Sequence, residues 1–72
     1  MTLMQFGLQL RRIRAEKELS QEALADCCQL DRTYISGIER GLRNPSLSCI
    51  LRIAKGLDVQ PEELVRGVGV DE

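Results

Sequence analysis

Between Asp31 and Asn44 the chain reads D-R-T-Y-I-S-G-I-E-R-G-L-R-N. Set Ile35, Ile38 and Glu39 aside, and what remains on one short segment is Arg32, Thr33, Tyr34, Ser36, Gly37 and Arg40, with Arg43 and Asn44 just beyond. Arginine can grip guanine through two parallel hydrogen bonds. Hydroxyls can reach bases or phosphates, and a threonine methyl or tyrosine ring can lie against a thymine methyl. This is the chemistry of recognition rather than of bond making. The groups that catalysis needs are missing: there is no histidine, no serine or cysteine with a general base beside it, and no phosphate loop. Glu62 and Glu63 follow Pro61 in what reads as a helix's first turn, where the helix dipole accounts for them. No catalytic residue is expected, and the chain reads as a non-enzyme.

The cysteines add no chemistry. Cys27, Cys28 and Cys49 are odd in number, lack C-x-x-C spacing and have no histidine to complete a metal site. Adjacent cysteines do not readily bridge, so all three read as small hydrophobes in a reducing cytoplasm. Neither a metal, a cofactor nor a small-molecule ligand is expected. The first ten residues lack the charged and apolar regions of a signal peptide, and no apolar run approaches the ~20 residues of a membrane span.

Something must hold the polar segment rigid, and the apolar spacing says helices. With two prolines, two aromatic residues and no sustained alternation, strands have no support. Phe6, Leu10 and Ile13 fall at i, i+4 and i+7 on a first helix from about Leu3 to Lys17. Ser20 can cap a second helix, which runs to about Cys28 and buries Leu24, Ala25 and Cys28. Asp31 opens a third from Arg32 to Arg40, anchored by Ile35 and Ile38, and Gly41 ends it in the left-handed conformation. Ser46 caps a fourth, Leu47 to about Gly56, and Pro61 starts a short fifth through Val65. The second and third helices, residues 21–40, are short and joined by a tight turn. That is a helix-turn-helix, which presents its second helix to the major groove of DNA. Ala25 lets the two helices cross closely and Leu30 fills the turn.

Size and charge bear on how such a unit works. A chain of 72 residues makes one domain and buries only about 60% of its unfolded surface, so association with a second copy would help it. The net charge of −1 hides a segregation. Residues 30–56 carry five cations against two carboxylates, and the last sixteen residues carry five carboxylates against Arg66 alone. On a helical wheel Leu47, Cys49, Ile50, Leu51, Ile53, Ala54 and Leu57 span roughly twice the arc that one buried face needs. Part of that surplus is expected to meet another protomer. The expected dimerisation region is 47–68, with Cys49, Ile50, Leu51, Ile53, Leu64 and Val65 as its contacts, and Val68 and Val70 adding apolar surface beyond.

The strings L-S-Q-E-A-L-A, L-D-R-T-Y-I-S-G-I-E-R-G, N-P-S-L and P-E-E-L resemble the XRE family of Cro and phage-repressor DNA-binding domains over almost the whole chain. Within that family D-R-T-Y-I-S-G-I-E-R-G-L-R-N-P-S looks most like the controller proteins of restriction-modification systems. The resemblance implies a compact, all-α, five-helix phage-repressor-like domain spanning 1–72. It also implies a DNA contact set of Gln21, Arg32, Thr33, Tyr34, Ser36, Arg40, Arg43 and Asn44. Of these, Gln21 matches a phosphate-binding glutamine, and Arg43 and Asn44 border the groove. Arg14 and Glu39 match a structural ion pair. One departure stands out: Gln29 occupies the place of the family's turn glycine and must accept a left-handed backbone.

The implied activity is that of a cytoplasmic transcription regulator that binds palindromic operators as a homodimer, meets RNA polymerase and autoregulates its own operon. A phage-type repressor, or an antitoxin that also binds a protein, is the alternative. A protein-binding version of the third helix should expose Leu, Phe or Trp, and this one offers Arg, Thr and Ser. Non-specific DNA coating would call for many lysines, and there are only Lys17 and Lys55. Two positions are open to packing explanations. Tyr34 is expected to expose its hydroxyl, since Ile35 already points inward. Gly37 is expected to allow close approach of DNA or of another helix.

Overall fold

The computed structural model describes residues 2–66; Val68, Val70, Asp71, Glu72 and the end of the 47–68 region lie outside the described residues. Five helices follow in order: α1 Thr2–Glu16, α2 Gln21–Cys28, α3 Arg32–Glu39, α4 Leu47–Leu57 and α5 Pro61–Val65. Each expected cap forms. Ser20, Asp31 and Ser46 accept the backbone N–H of Ala23, Thr33 and Cys49, which satisfies donors that a helix start leaves orphaned. Pro61 opens α5, where a missing N–H costs nothing.

The helices bury one continuous core. Phe6, Leu10 and Ile13 of α1 meet Leu24, Ala25 and Cys28 of α2, Ile35 and Ile38 of α3, Ile53, Ala54 and Leu57 of α4, and Leu64 of α5. α3 packs against both α1 and α2, while α4 packs against α2 and α5 closes the bundle on α1 and α4. Gln9 pins that last contact, its side-chain amide donating to the Glu63 carbonyl at 2.8 Å. α1 and the end of α3 approach closely at Gly7. A Cβ on Gly7 would stand 2.5 Å from the Ile38 carbonyl oxygen and 2.6 Å from that of Glu39. Only glycine lets the end of α3 sit this close to α1.

The left-handed turns fall where the chain must reverse. Gln29 adopts φ 57°, as its place in the turn requires, and Gly41 φ 74°; Glu18 and Asp58 also take positive φ, at 58° and 59°. At Gln29 the strain is offset from outside the turn. The Arg52 guanidinium of α4 donates to the carbonyls of both Cys28 and Gln29 at 2.9 Å. A cation on the last carbonyls of a helix satisfies orphan acceptors and complements its dipole. Arg52, though exposed, therefore directs its guanidinium at the α2–α3 turn.

Two expectations for the dimer edge are corrected by the core. Ile53 and Leu64 are 0% exposed within the single chain, so neither has surface to offer a second copy. The surplus apolar edge of α4 instead shows Leu47, 71% exposed, and Leu51, 47% exposed, with Val65 of α5 at 43%. Ile50 and Cys49 are half-buried between that edge and the core.

Candidate nucleic-acid interface

The recognition unit is locked to the rest of the domain by a polar knot. Arg14 of α1 donates through Nε to Glu39 Oε2 at 2.6 Å and through Nη2 to Oε1 at 3.0 Å, the two-pronged geometry that only arginine offers a carboxylate. Its Nη1 reaches the Leu19 carbonyl at 2.8 Å, and Gln21 Nε2 donates to Glu39 Oε1 at 3.0 Å. One carboxylate thus ties α1, the start of α2 and the end of α3. The pair is largely buried, with side-chain exposures of 14% and 3%. The bond to Glu39 is the main reason the guanidinium of Arg14 titrates above its ordinary value. No buried side-chain polar atom is left without a partner among the described residues.

Gln21 therefore sits differently from a free phosphate-binding side chain. One of its amide hydrogens belongs to Glu39, which leaves the other, together with the N-terminus of α2, for an outside anion.

On α3 the side chains divide cleanly. Ile35 and Ile38 are fully buried, whereas Arg32 and Thr33 in the first turn and Arg40 just past the last are exposed; Ser36 is half-buried. Arg43 and Asn44 are exposed on the loop that follows. Arg32, Arg40 and Arg43 form no ion pair among the described residues, so three cations without a carboxylate partner lie on and just beyond one helix. The placement of Arg32 is costly in itself. A cation in a helix's first turn opposes the dipole by about 0.3–1 kcal/mol, and a fold selected for stability alone would not keep it there. Asp31 offsets part of this. Hydrogen bonds from the Thr33 hydroxyl at 2.7 Å and the Thr33 backbone N–H at 2.9 Å hold its carboxyl below the usual range, with Arg32 adding to the effect.

Tyr34 and Gly37 have surroundings that local spacing does not show. Tyr34 is half-buried with its ring packed against the core. Interaction with the Cys49 side chain, and then partial burial, keep its phenol above its ordinary pKa, so it is protonated at neutral pH. Gly37 is buried rather than exposed, and what approaches it is neither a helix nor open groove but the side chain of Arg43. Sequence reasoning missed Arg52 and Gly7 altogether. Their partners lie 23 or more residues away, beyond any local pattern. The thiols are all free. Burial pushes Cys28 up to about 11, with the neighbouring Cys27 adding to it, so it remains a neutral core residue.

A two-helix unit with a buried inner face, a polar and cationic outer face and an αL turn between the helices defines a class, and the chain belongs to it: residues 5–67 match the family described as "Helix-turn-helix domain". Within that class its likeness is to restriction-modification controllers, as the sequence motifs suggest. It is 56% identical over 61 residues to control protein C.BamHI of Bacillus amyloliquefaciens, covering 83% of this chain and 75% of that one. The controller C.AhdI from Aeromonas hydrophila superposes with a TM-score of 0.85 at 53% identity, over 86% of this chain and 94% of that one. C.Esp1396I, whose tetramer has been crystallised with its natural 35-base-pair operator, superposes with a TM-score of 0.85 at 40% identity, over 94% and 90% of the two chains. Among the described residues no helix is long and apolar enough to cross a membrane.

Proposed function

We propose that this chain is a sequence-specific DNA-binding transcription regulator, a restriction-modification controller that binds a palindromic operator as a homodimer and regulates its own operon in the cytoplasm. The observation that carries the reading is Arg32, an exposed cation without an ion-pair partner among the described residues, in the first turn of a helix whose other face is locked into the core. Side chains at that position of a recognition helix point into the major groove. Arg32 reads bases, with Thr33 and Ser36 beside it. Arg40, Arg43, Asn44 and the N-terminus of α2 with Gln21 grip phosphate. Tyr34, half-exposed beside Arg43, offers its hydroxyl and ring edge to the same surface. RNA polymerase is the further partner of an autoregulator, and no small-molecule ligand is invoked.

A twofold dimer presents two recognition helices about one helical turn, ~34 Å, apart, which matches the two halves of a palindrome. The exposed edge of Leu47, Leu51 and Val65 forms the contact, with Cys49 and Ile50 at its border. Sedimentation at micromolar concentration is expected to give a dimer for the native chain and a monomer for Leu51→Asp with unchanged helical content. A Leu51→Asp dimer would place the contact elsewhere.

The decisive experiment is footprinting on the DNA immediately upstream of the gene, combined with titration at several salt concentrations. Protection is expected over two half-sites. If two arginines per protomer meet phosphate, log K should fall against log salt with a slope of roughly −3 to −4 for the dimer. Protection without boundaries would indicate non-specific binding, and a flat salt response would remove the phosphate contacts.

A further inference from the structure

Gly37 lies inside α3, at a position where glycine is the poorest helix former after proline. A Cβ built on it would meet Arg43 Cγ at 2.7 Å, Nε at 3.6 Å and Cδ at 3.7 Å. The three nearest atoms all belong to one side chain, itself exposed. The head of that side chain then lies over Tyr34, its guanidinium carbon 5.7 Å from the ring centroid, within the range of a cation–π contact. Tyr34 precedes Gly37 by three residues, so ring and notch are neighbours on one face of the helix. The backbone is fixed at the same point, since the Leu42 N–H donates to the Gly37 carbonyl at 2.9 Å and so sets where Arg43 begins.

We propose that Gly37 is a positioning residue for DNA recognition: its missing Cβ is the seat that holds Arg43 across Tyr34 as a preformed contact to the duplex. The inference rests on the reading of Arg43 as a DNA contact given above. A free arginine loses rotamer freedom when it binds, whereas a seated one has lost it already on folding. Gly37 therefore acts on affinity through Arg43, whose side chain covers it.

The test is a cycle of Gly37→Ala, Arg43→Ala and the double variant, titrated by fluorescence anisotropy against the footprinted upstream duplex, with thermal unfolding of each protein alone. Alanine is the better helix former, and the atom it displaces belongs to an exposed side chain that can swing away. Gly37→Ala is thus expected to keep or raise the unfolding midpoint while weakening DNA binding about threefold to tenfold per protomer. In the Arg43→Ala background it should weaken binding no further. Equal losses in both backgrounds, or no loss in the native background, would overturn the inference while leaving Arg43 a contact. Arg43→Ala binding as tightly as the native chain would remove the underlying reading and this inference with it. Should Gly37→Ala lower the midpoint instead, Tyr34→Leu, which takes away the other half of the seat, must show the same dependence on Arg43, and its failure to do so counts against the proposal.

Discussion

Glu39→Ala or Arg14→Ala is expected to destabilise the domain by about 3–5 kcal/mol, because each strands its buried partner without a counter-charge. The geometry makes the loss larger than for a surface pair. Glu39 accepts three hydrogen bonds from two side chains, and Arg14 also caps the Leu19 carbonyl. For a domain of this size such a loss lowers the midpoint by roughly 12–40 °C. Both variants should therefore be measured by urea unfolding in the presence of a stabilising osmolyte. The double variant Arg14→Ala/Glu39→Ala is expected to lose less than the sum of the two, since neither charge is then left alone. Arg14→Lys keeps the charge but loses the two-pronged grip, so it should fall between the native chain and Arg14→Ala. Strictly additive losses would show that the two residues do not couple.

That ion pair was legible in the sequence through the resemblance, and it marks the boundary of what sequence can show. The caps Ser20, Asp31 and Ser46 act within three residues of themselves, so residue type and spacing suffice to place them. The stripe Phe6–Leu10–Ile13 is equally local, and all three are buried. Gln29 could be read as a left-handed turn residue through the resemblance, because it occupies the place of the family's turn glycine, and its φ of 57° agrees.

What resisted reading is decided by contacts between elements. A helical wheel shows that α4 is apolar over too wide an arc, but not which edge the core takes. It takes Ile53, Ala54 and Leu57, leaving Leu47 and Leu51 outside. Leu64 reads like Val65 in sequence, yet one is core and the other surface. Arg52 counts as a surface cation in any tally of charge, but its hydrogen bonds go to the carbonyls of Cys28 and Gln29 where α2 ends. Gly37 has no side chain to give a pattern at all. Its role becomes visible only once the loop folds back and lays Arg43 on it. The proposed interface thus combines residues whose exposure follows from local pattern, Arg32, Thr33 and Arg40, with others whose surroundings are set by packing, Tyr34 and Arg43.

The same division gives the last expectation its content. Arg32 is exposed in the first turn of α3 and has no ion-pair partner among the described residues, so its guanidinium is free to form two parallel hydrogen bonds with a base edge. Each such contact discriminates by about 1–3 kcal/mol. A symmetric dimer makes it twice, so Arg32→Ala is expected to weaken operator binding by about 2–6 kcal/mol, a factor of roughly 30 to 10⁴. The loss of discrimination should be confined to one base pair: against a panel of single-base operator changes, that position alone becomes indifferent. Removing an arginine that opposes the α3 dipole should meanwhile leave the fold unharmed or slightly more stable, which thermal unfolding of the free protein would register. Arg12→Ala is the control, because Arg12 lies on the outer side of α1 and is already paired with Glu16 at 2.7 Å. It should change neither affinity nor preference. If Arg32→Ala instead weakened every duplex equally and shallowed the salt slope, Arg32 would be gripping phosphate, and base reading would have to be reassigned to Thr33 and Ser36.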